Sequence, residues 1–356
     1  MLRFGRNWIN NVGMHVPDGF LDAPTSVATG LIAAGAVGFS LQRANREIRE
    51  TGPALAGLTA AFVFAVQMVN FPVGAGTSGH LLGGALAATL VGPWSAVLVM
   101  STVFLVQGLL FADGGLTALG TNITLMGLIT VVVGYFLTRA ALKVLPKRVG
   151  SVVPATTLGA LVSVPTAALG FTGLYAIGGS VDIPIAKLAT AMVGWHLLVG
   201  IGEAVITAAV LSAVVATRPD LVYAARHLQP DLVLVDADGN SSTVSPDRPI
   251  AAKSSRRSFS VGLAATLLIA GVVSLFASAH PDGLQFVGAK LGFEIAAKHS
   301  AAASSPLANY GVSGVGNSQV SGALAGIIGV LVTIVVGLLI AKLASMRSAA
   351  RADKAA

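Results

Sequence analysis

The chain predicts an all-α, polytopic membrane protein, on three observations. Apolar residues fill 54% of its 356 positions and charged residues only 10%, against about 25% charged in ordinary soluble domains. The apolar residues form long uninterrupted runs rather than short alternating segments, which selects membrane helices over a β-barrel. The basic residues gather in the breaks between runs, the positive-inside pattern of membrane topology. The net charge of +7 is therefore topological. It points to a lipid bilayer as partner and to no nucleic acid. There is no cysteine, so disulfides, thiolate metal sites and cysteine nucleophiles are excluded, and any metal site must use nitrogen and oxygen donors.

Taken in order, residues 1–13 (MLRFGRNWINNVG) hold Arg3 and Arg6 and no apolar core of signal-peptide length. The first span is expected over Pro24–Leu41, followed by a loop with Arg43, Arg46 and Arg49. The second is expected over Pro53–Phe71, and the glycine-rich stretch 73–79 then leads into a short apolar run, His80–Val91. Gly92-Pro93 breaks that run, and the next spans are Trp94–Ala112, Asn122–Val144, Val152–Gly178 and Ile185–Val215. Residues 218–257 are polar and basic, a linker on the cytoplasmic side. Two further spans, Phe259–Ala279 and Ser321–Leu343, flank a small-residue-rich loop over 280–320, and a basic tail over 346–356 closes the chain.

The topology is self-consistent. With the basic loops 43–49, 139–148, 218–257 and 342–354 in the cytoplasm, seven runs before the linker and two after it alternate without conflict. Residues 14–21, 73–79, 113–121 and 280–320 then all lie outside. The spans are rich in small residues, as in Ala33-Ala34-Gly35-Ala36-Val37-Gly38, which suit either close internal helix packing or docking of a partner membrane protein.

Two outside stretches carry the candidate chemistry. In Met14-His15-Val16-Pro17-Asp18-Gly19, His15 follows a methionine. If the chain starts at Met14, its α-amine, the His15 main-chain nitrogen and the His15 imidazole can chelate one ion. A planar nitrogen set of this kind suits Ni(II) or Cu(II). Pro17-Asp18-Gly19 sets a turn that aims this terminus back at the protein. In the second stretch, Gly74-Ala75-Gly76-Thr77-Ser78-Gly79-His80, the imidazole of His80 sits at a membrane boundary and can supply a fourth nitrogen. The loop has glycines enough to fold re-entrantly, which requires burial in protein. Ser78 beside His80, and Asn70 and Asn122 near the outer ends of spans, either line such a site and orient its ligands or tie helices together. Gln67 and Gln107 are placed similarly. His196 and Glu203 are seven residues apart in one span and share a helical face, as ligand-orienting groups or as an interhelical pair. His280 and Asp282, in His280-Pro281-Asp282-Gly283, echo the first motif and form a possible accessory loop.

Other classes fit poorly. A membrane-embedded metal enzyme built on His196 and Glu203 lacks HExxH spacing and any GxSxG nucleophile motif, so no enzyme is expected. A ligand-free assembly protein does not explain polar motifs gathered at one face. No Gly-Lys dipeptide, and hence no P-loop, occurs.

Four motifs, MHVPDGFL (14–21), GTSGHLLGGALAA (76–88), LLFADGGLTALGTNI (109–123) and HLLVGIGEAVIT (196–207), resemble the substrate-binding component of energy-coupling-factor nickel/cobalt transporters, the NikM/CbiM family. The resemblance covers about residues 14–217. AHPDGLQF (279–286) in the two-span part 258–345 resembles the small NikN-type subunit, here fused, with Gln285 where the family's PDGLE sequence has glutamate. The resemblance implies a seven-helix S-component bundle plus two additional transmembrane helices. It implies metal ligands at Met14, His15 and His80. The Ni2+ or Co2+ is cargo and not a cofactor; nickel is favoured, with cobalt uptake for cobalamin synthesis as the alternative. It also implies a transmembrane coupling protein and cytoplasmic ATPases on other chains. Residues 1–13 precede the chelating terminus and would turn its amine into an amide. The mature chain is therefore expected to begin at Met14.

Overall fold

Apolar runs in lipid become helices because a helix satisfies its own main-chain N–H and C=O groups. The computed structural model describes residues 14–228, 232–235, 241–244 and 256–352, so 1–13 lie outside the described residues. In chain order the helices are α1 (Ala23–Thr51), α2 (Pro53–Gln67), α3 (Gly84–Val91), α4 (Pro93–Leu110), α5 (Leu119–Asn122), α6 (Thr130–Val144), α7 (Val152–Gly178), α8 (Ile185–Thr217), α9 (Arg256–Gly271), α10 (Gly283–Leu291) and α11 (Ser318–Ala352). A π-helical stretch, Ile123–Ile129, joins α5 to α6 as one continuous helix. Among the described residues seven helices are long and apolar enough to cross a membrane: α1, α4, α5–α6, α7, α8, α9 and α11. The chain is a multi-pass membrane protein.

Two of the expected runs are shorter than a span. Helix α2 has 15 residues and α3 has 8, about 22 Å and about 12 Å at 1.5 Å per residue, against a hydrocarbon core of about 30 Å. Between them β1 (Phe71–Gly74) pairs with β2 (Thr77–Gly79) as a hairpin. Its turn residues, Ala75 and Gly76, both have positive φ, 46° and 80°, as a tight two-residue hairpin turn requires. Every residue of α3 is buried. Residues 77–91 are therefore enclosed by the bundle, whereas the hairpin turn at Gly74–Gly76, part of the glycine-rich loop expected to be buried, is exposed.

The contacts between loops define two ends. At one end, Lys298 N–H donates to Asp18 O at 2.8 Å, Asp22 N–H to Gly178 O at 2.7 Å, Ser78 N–H to Pro281 O at 2.9 Å and Asn309 N–H to Phe111 O at 2.8 Å. At the other, Arg226 pairs with Glu50 at 3.1 Å and Asn45 donates to Ser345 O at 3.2 Å. All the motif-bearing loops meet at the first end, and the end of α1, residues 218–228 and the end of α11 meet at the second; the stretch 43–49, expected as a loop, is the last part of α1.

Glu47 anchors the basic end. Its buried carboxylate accepts from Trp94 N–H at 3.3 Å and Ser95 N–H at 2.7 Å, the open donors at the start of α4. Gly92, at φ 92°, lets that carboxylate approach, since a Cβ there would lie 2.5 Å from the Glu47 carboxyl carbon.

The C-terminal spans are part of the bundle. Helix α11 lies in contact with α1, α2, α4 and α9. Small residues permit this: a Cβ on Gly337 would sit 3.1 Å from Gly57 Cα, and one on Gly329 would sit 2.2 Å from the Phe64 ring. In α1, Ala33 is buried, whereas nothing lies within 4 Å of a Cβ at Gly35 or Gly38. The polar linker contains one antiparallel pair, β3 (Leu232–Val235) with β4 (Ser241–Val244). The small-residue-rich loop 280–320 contains a helix, α10, capped by Asp282. The Asp282 carboxylate accepts from Gln285 N–H at 2.8 Å, and Gln285 Oε1 accepts from Asp282 N–H at 3.2 Å. A glutamine fills this reciprocal cap as a glutamate does, which gives Gln285 a role. Phe293 seals the loop onto the bundle, edge-on to Phe20 at 5.1 Å and tilted against Tyr175 at 5.2 Å.

Glu47→Ala leaves one buried donor, Ser95 N–H, and one partly buried donor, Trp94 N–H, without their acceptor, and is expected to cost roughly 1–3 kcal/mol. Thermal unfolding in detergent checks this, with Glu47→Gln expected to retain part of the stability.

Candidate metal-binding site

Residues 14–22 cross the loop-bearing end of the bundle as an extended strap. Asn122 grips it from the helix below: Val16 N–H donates to Asn122 Oδ1 at 2.9 Å, and Asn122 Nδ2 donates to Val16 O at 3.1 Å. Asp18 does more than make a turn. Its carboxylate accepts from Leu116 N–H at 3.2 Å, Thr117 N–H at 2.7 Å and Thr117 Oγ1 at 2.5 Å, which orders the loop 113–118. Gly19, at φ 92°, passes under the C-terminal part, where a Cβ would lie 2.2 Å from Ala296 O.

This strap places His15 inside the protein, 2% exposed. Its ring meets His80 edge-on at 5.6 Å and Phe104 at 5.3 Å. Nδ1 lies 3.4 Å from Asp113 Oδ2. Nε2 is buried without a partner among the described residues.

His80 arrives from the hairpin. Its Nδ1 is 3.0 Å from Leu81 O. Glu203, from α8, holds the next turn of chain: Leu82 N–H donates to Oε2 at 2.5 Å and Gly83 N–H to Oε1 at 2.8 Å. Gln67 Nε2 donates to Leu82 O at 3.0 Å. Glu203 thus aims the segment carrying His80, and it does so through the main chain. Burial, then the adjacent His15, hold the His80 imidazole below its usual pKa. It is neutral, with a lone pair to offer.

The two imidazoles, with Met14, Asn122, His196 and Asp282, line a cavity of about 60 Å³. Organic ligands occupy sites of about 300–1,000 Å³, so this space suits an ion with one or two small ligands. His196 is one wall, its Nδ1 2.8 Å from Met192 O. The π-helical stretch supplies another wall through Leu125 and Met126, as such irregular turns often do at functional sites. Asp282 closes the cavity from the C-terminal part, and its burial pushes the carboxyl pKa up to about 6. Among the described residues no group of three or more His, Asp or Glu side chains is placed to hold an ion.

The remaining candidates lie outside the cavity. Ser78 and Asn70 fasten the C-terminal loop: Ser78 Oγ donates to His280 O at 2.7 Å, and Asn70 O accepts from Ser278 N–H at 2.8 Å. His280 is exposed and its Nδ1 lies 3.1 Å from Ser278 Oγ. Sequence reasoning missed Asp113, which reads as part of a turn. An ionisable residue directly after the apolar run ending in Phe111-Ala112 is the signal that marks it. It also missed Tyr310, whose hydroxyl donates to Asp113 Oδ2 at 2.6 Å from 197 residues away.

Residues 15–221 match the family model described as the cobalt uptake substrate-specific transmembrane region, CbiM, and residues 256–346 match the PDGLE domain. A putative fused nickel transport protein NikMN of Archaeoglobus fulgidus is 36% identical over 211 residues, covering 59% of this chain and 68% of that one. The cobalt transport protein CbiM of Sorangium cellulosum is 34% identical, covering 59% of this chain and 94% of its own length. A crystal structure described as a transition metal transporter aligns with TM-score 0.50 at 30% identity, covering 56% of this chain and 92% of that chain. The chain belongs to the CbiM/NikM family of nickel and cobalt transport proteins, with a NikN-like PDGLE part fused behind it.

Proposed function

We propose that this chain is the metal-capture subunit of an energy-coupling-factor uptake system that takes Ni2+, or by the same chemistry Co2+, from outside the cell. One observation carries the reading: two buried imidazoles, His15 and His80, meet at 5.6 Å across a small cavity, and His15 Nε2 has no partner among the described residues. A buried polar atom without a partner is costly, and a cation in the cavity removes that cost. An all-nitrogen set suits nickel, and the relative from Archaeoglobus is named a fused nickel transport protein.

The ligands are the imidazoles of His15 and His80, with main-chain nitrogen at Met14. His196 and Asp282 face the ion without being needed as ligands, and Glu203 and Asn122 set the two ligand-bearing segments. A histidine ring closes a chelate with its own main-chain nitrogen only through Nδ1, and Asp113 faces that nitrogen here. Recruiting the His15 main-chain nitrogen therefore requires the ring to leave Asp113. The basic end of the bundle lies in the cytoplasm, so the cavity faces outward. The chain carries no P-loop, which fits ATP hydrolysis on separate ATPase chains that act through a transmembrane coupling protein.

Three outcomes test this. His15→Ala and His80→Ala are each expected to abolish nickel binding by isothermal titration of the purified chain, with helical content retained; normal binding in both sinks the site. Glu203→Ala is expected to weaken binding about 10- to 100-fold through the His80 segment, as loss of a ligand-orienting group does, and unchanged affinity would remove it from that role. A chain beginning at Met14, with a free amine, is expected to bind nickel more tightly than one beginning at Met1. Equal affinity would exclude the amine as a ligand.

A further inference from the structure

A groove in the basic half of the bundle carries chemistry that the metal site does not use. It runs between α8 and α9, with α2 and the end of α3 as its floor, and encloses about 750 Å³. Organic ligands occupy sites of about 300–1,000 Å³. Leu58, Phe62 and Leu90 line the floor, Val210 and Val214 the α8 wall, and Val261 the α9 wall. Both walls continue into the lipid-facing surface, where Val205 of α8 and Leu268 of α9 are more than half exposed.

Each threonine hydroxyl in the groove is bonded to its own helix. Thr59 Oγ1 donates to Leu55 O, Thr217 Oγ1 to Ala213 O and Thr266 Oγ1 to Gly262 O, each at 2.8 Å. A polar occupant would find no partner along these walls, whereas hydrocarbon needs none. The mouth is different. Arg218, at the end of α8, donates to Asp220 at 2.8 and 2.7 Å and to Ser258 Oγ on α9, which ties the two walls together at the basic end. Arg257 lines the same opening, and Arg256 stands beside it in the first turn of α9. Both are exposed, and among the described residues no carboxylate pairs with either. Residues 248–257 hold four basic residues and no acidic one.

We propose that the groove is a binding site for one anionic phospholipid: its acyl chains fill the space between α8 and α9, and its phosphate lies against Arg256 and Arg257. Basic pockets between membrane helices on the cytoplasmic side commonly bind anionic lipid headgroups. A transmembrane helix is a poor occupant by volume. About 10 Å across and about 30 Å long, it fills roughly 2,400 Å³, whereas the groove holds about a third of that. Helices α2, α3 and α8 belong to the CbiM part of the chain and α9 to the fused PDGLE part, so the bound lipid seals the seam between them. The inference rests on the membrane-spanning fold and its basic end, and not on the metal site.

The test uses the full chain, stripped of lipid in a non-ionic detergent. Phosphatidylglycerol and phosphatidylcholine with the same acyl chains are titrated by native mass spectrometry. One phosphatidylglycerol per chain is expected, bound about tenfold more tightly than phosphatidylcholine. Arg256→Gln with Arg257→Gln is expected to weaken phosphatidylglycerol binding about 10- to 30-fold, or about fivefold for each charge. Nickel binding by calorimetry should be unchanged in that variant. Ala213 and Ala265 are exposed residues on the two walls. Ala213→Phe with Ala265→Phe fills the groove and is expected to abolish lipid binding, with helical content retained. Equal affinity for the two lipids would overturn the proposal, as would unchanged phosphatidylglycerol binding in either double variant. Glycerol phosphate bound as tightly as the whole lipid would also overturn it, because a headgroup site alone needs no groove. Loss of coupling-protein assembly in the Phe variant, with no preference for phosphatidylglycerol in the wild type, would give the groove to a partner helix and overturn the proposal too.

Discussion

The site depends on one constraint: main-chain N–H groups brought into an apolar interior must find acceptors. Helix α3 is too short to cross the membrane, so both of its ends are inside the protein. Glu203 accepts from Leu82 and Gly83 just before α3, and Glu47 accepts from Trp94 and Ser95 just after it. Each carboxylate meets the positive end of a helix, where negative charge is favoured. Without Glu203 the segment after His80 has no acceptor, and the imidazole loses its direction. A buried acid in α8 therefore sets the direction of an imidazole it does not touch.

From that anchor the site is assembled by straps rather than by a single motif. The hairpin of β1 and β2 delivers His80, and the N-terminal strap delivers His15. Asn122 holds the strap at Val16 and Asp18 pins it to the loop 113–118. The C-terminal part then closes the end of the bundle: Phe293 packs on Phe20 and Tyr175, Ser78 donates to the carbonyls of Pro281 and His280, and Asp282 faces the cavity. The enclosure limits the space to about 60 Å³ and keeps the imidazole of His80 neutral, both of which favour a small cation over a larger ligand. Transition-metal transport by this family and a site of this size and donor chemistry agree with each other.

Much of the fold was legible because hydropathy reports helix length directly. The break at Gly92-Pro93 stands where expected, with a glycine of positive φ ahead of the proline, whereas the first helix runs on through the arginines of 43–49 to Thr51 and breaks only at Gly52-Pro53. The alternation of basic loops anticipated which loops gather at each end. Helix α10 was not legible, because nine residues with one apolar face are lost in a loop of small residues. The short reach of α2 was not legible either, since the strand at Phe71–Gly74 is as apolar as the helix it follows.

The sequence by itself determined the membrane class, the two ends of the bundle and the pair of histidines. Those follow from local properties: runs of apolar residues, charges in the breaks, and an imidazole beside glycines at a boundary. Only the tertiary structure decided which polar residues serve the histidines. Asn122 grips Val16 across 106 positions, and Glu203 reaches back 121 to Leu82. A carboxylate or hydroxyl looks the same in sequence whether it caps a helix, closes a loop or steers a ligand. Its role is fixed by which buried donor or acceptor the packing of distant helices leaves within hydrogen-bonding reach.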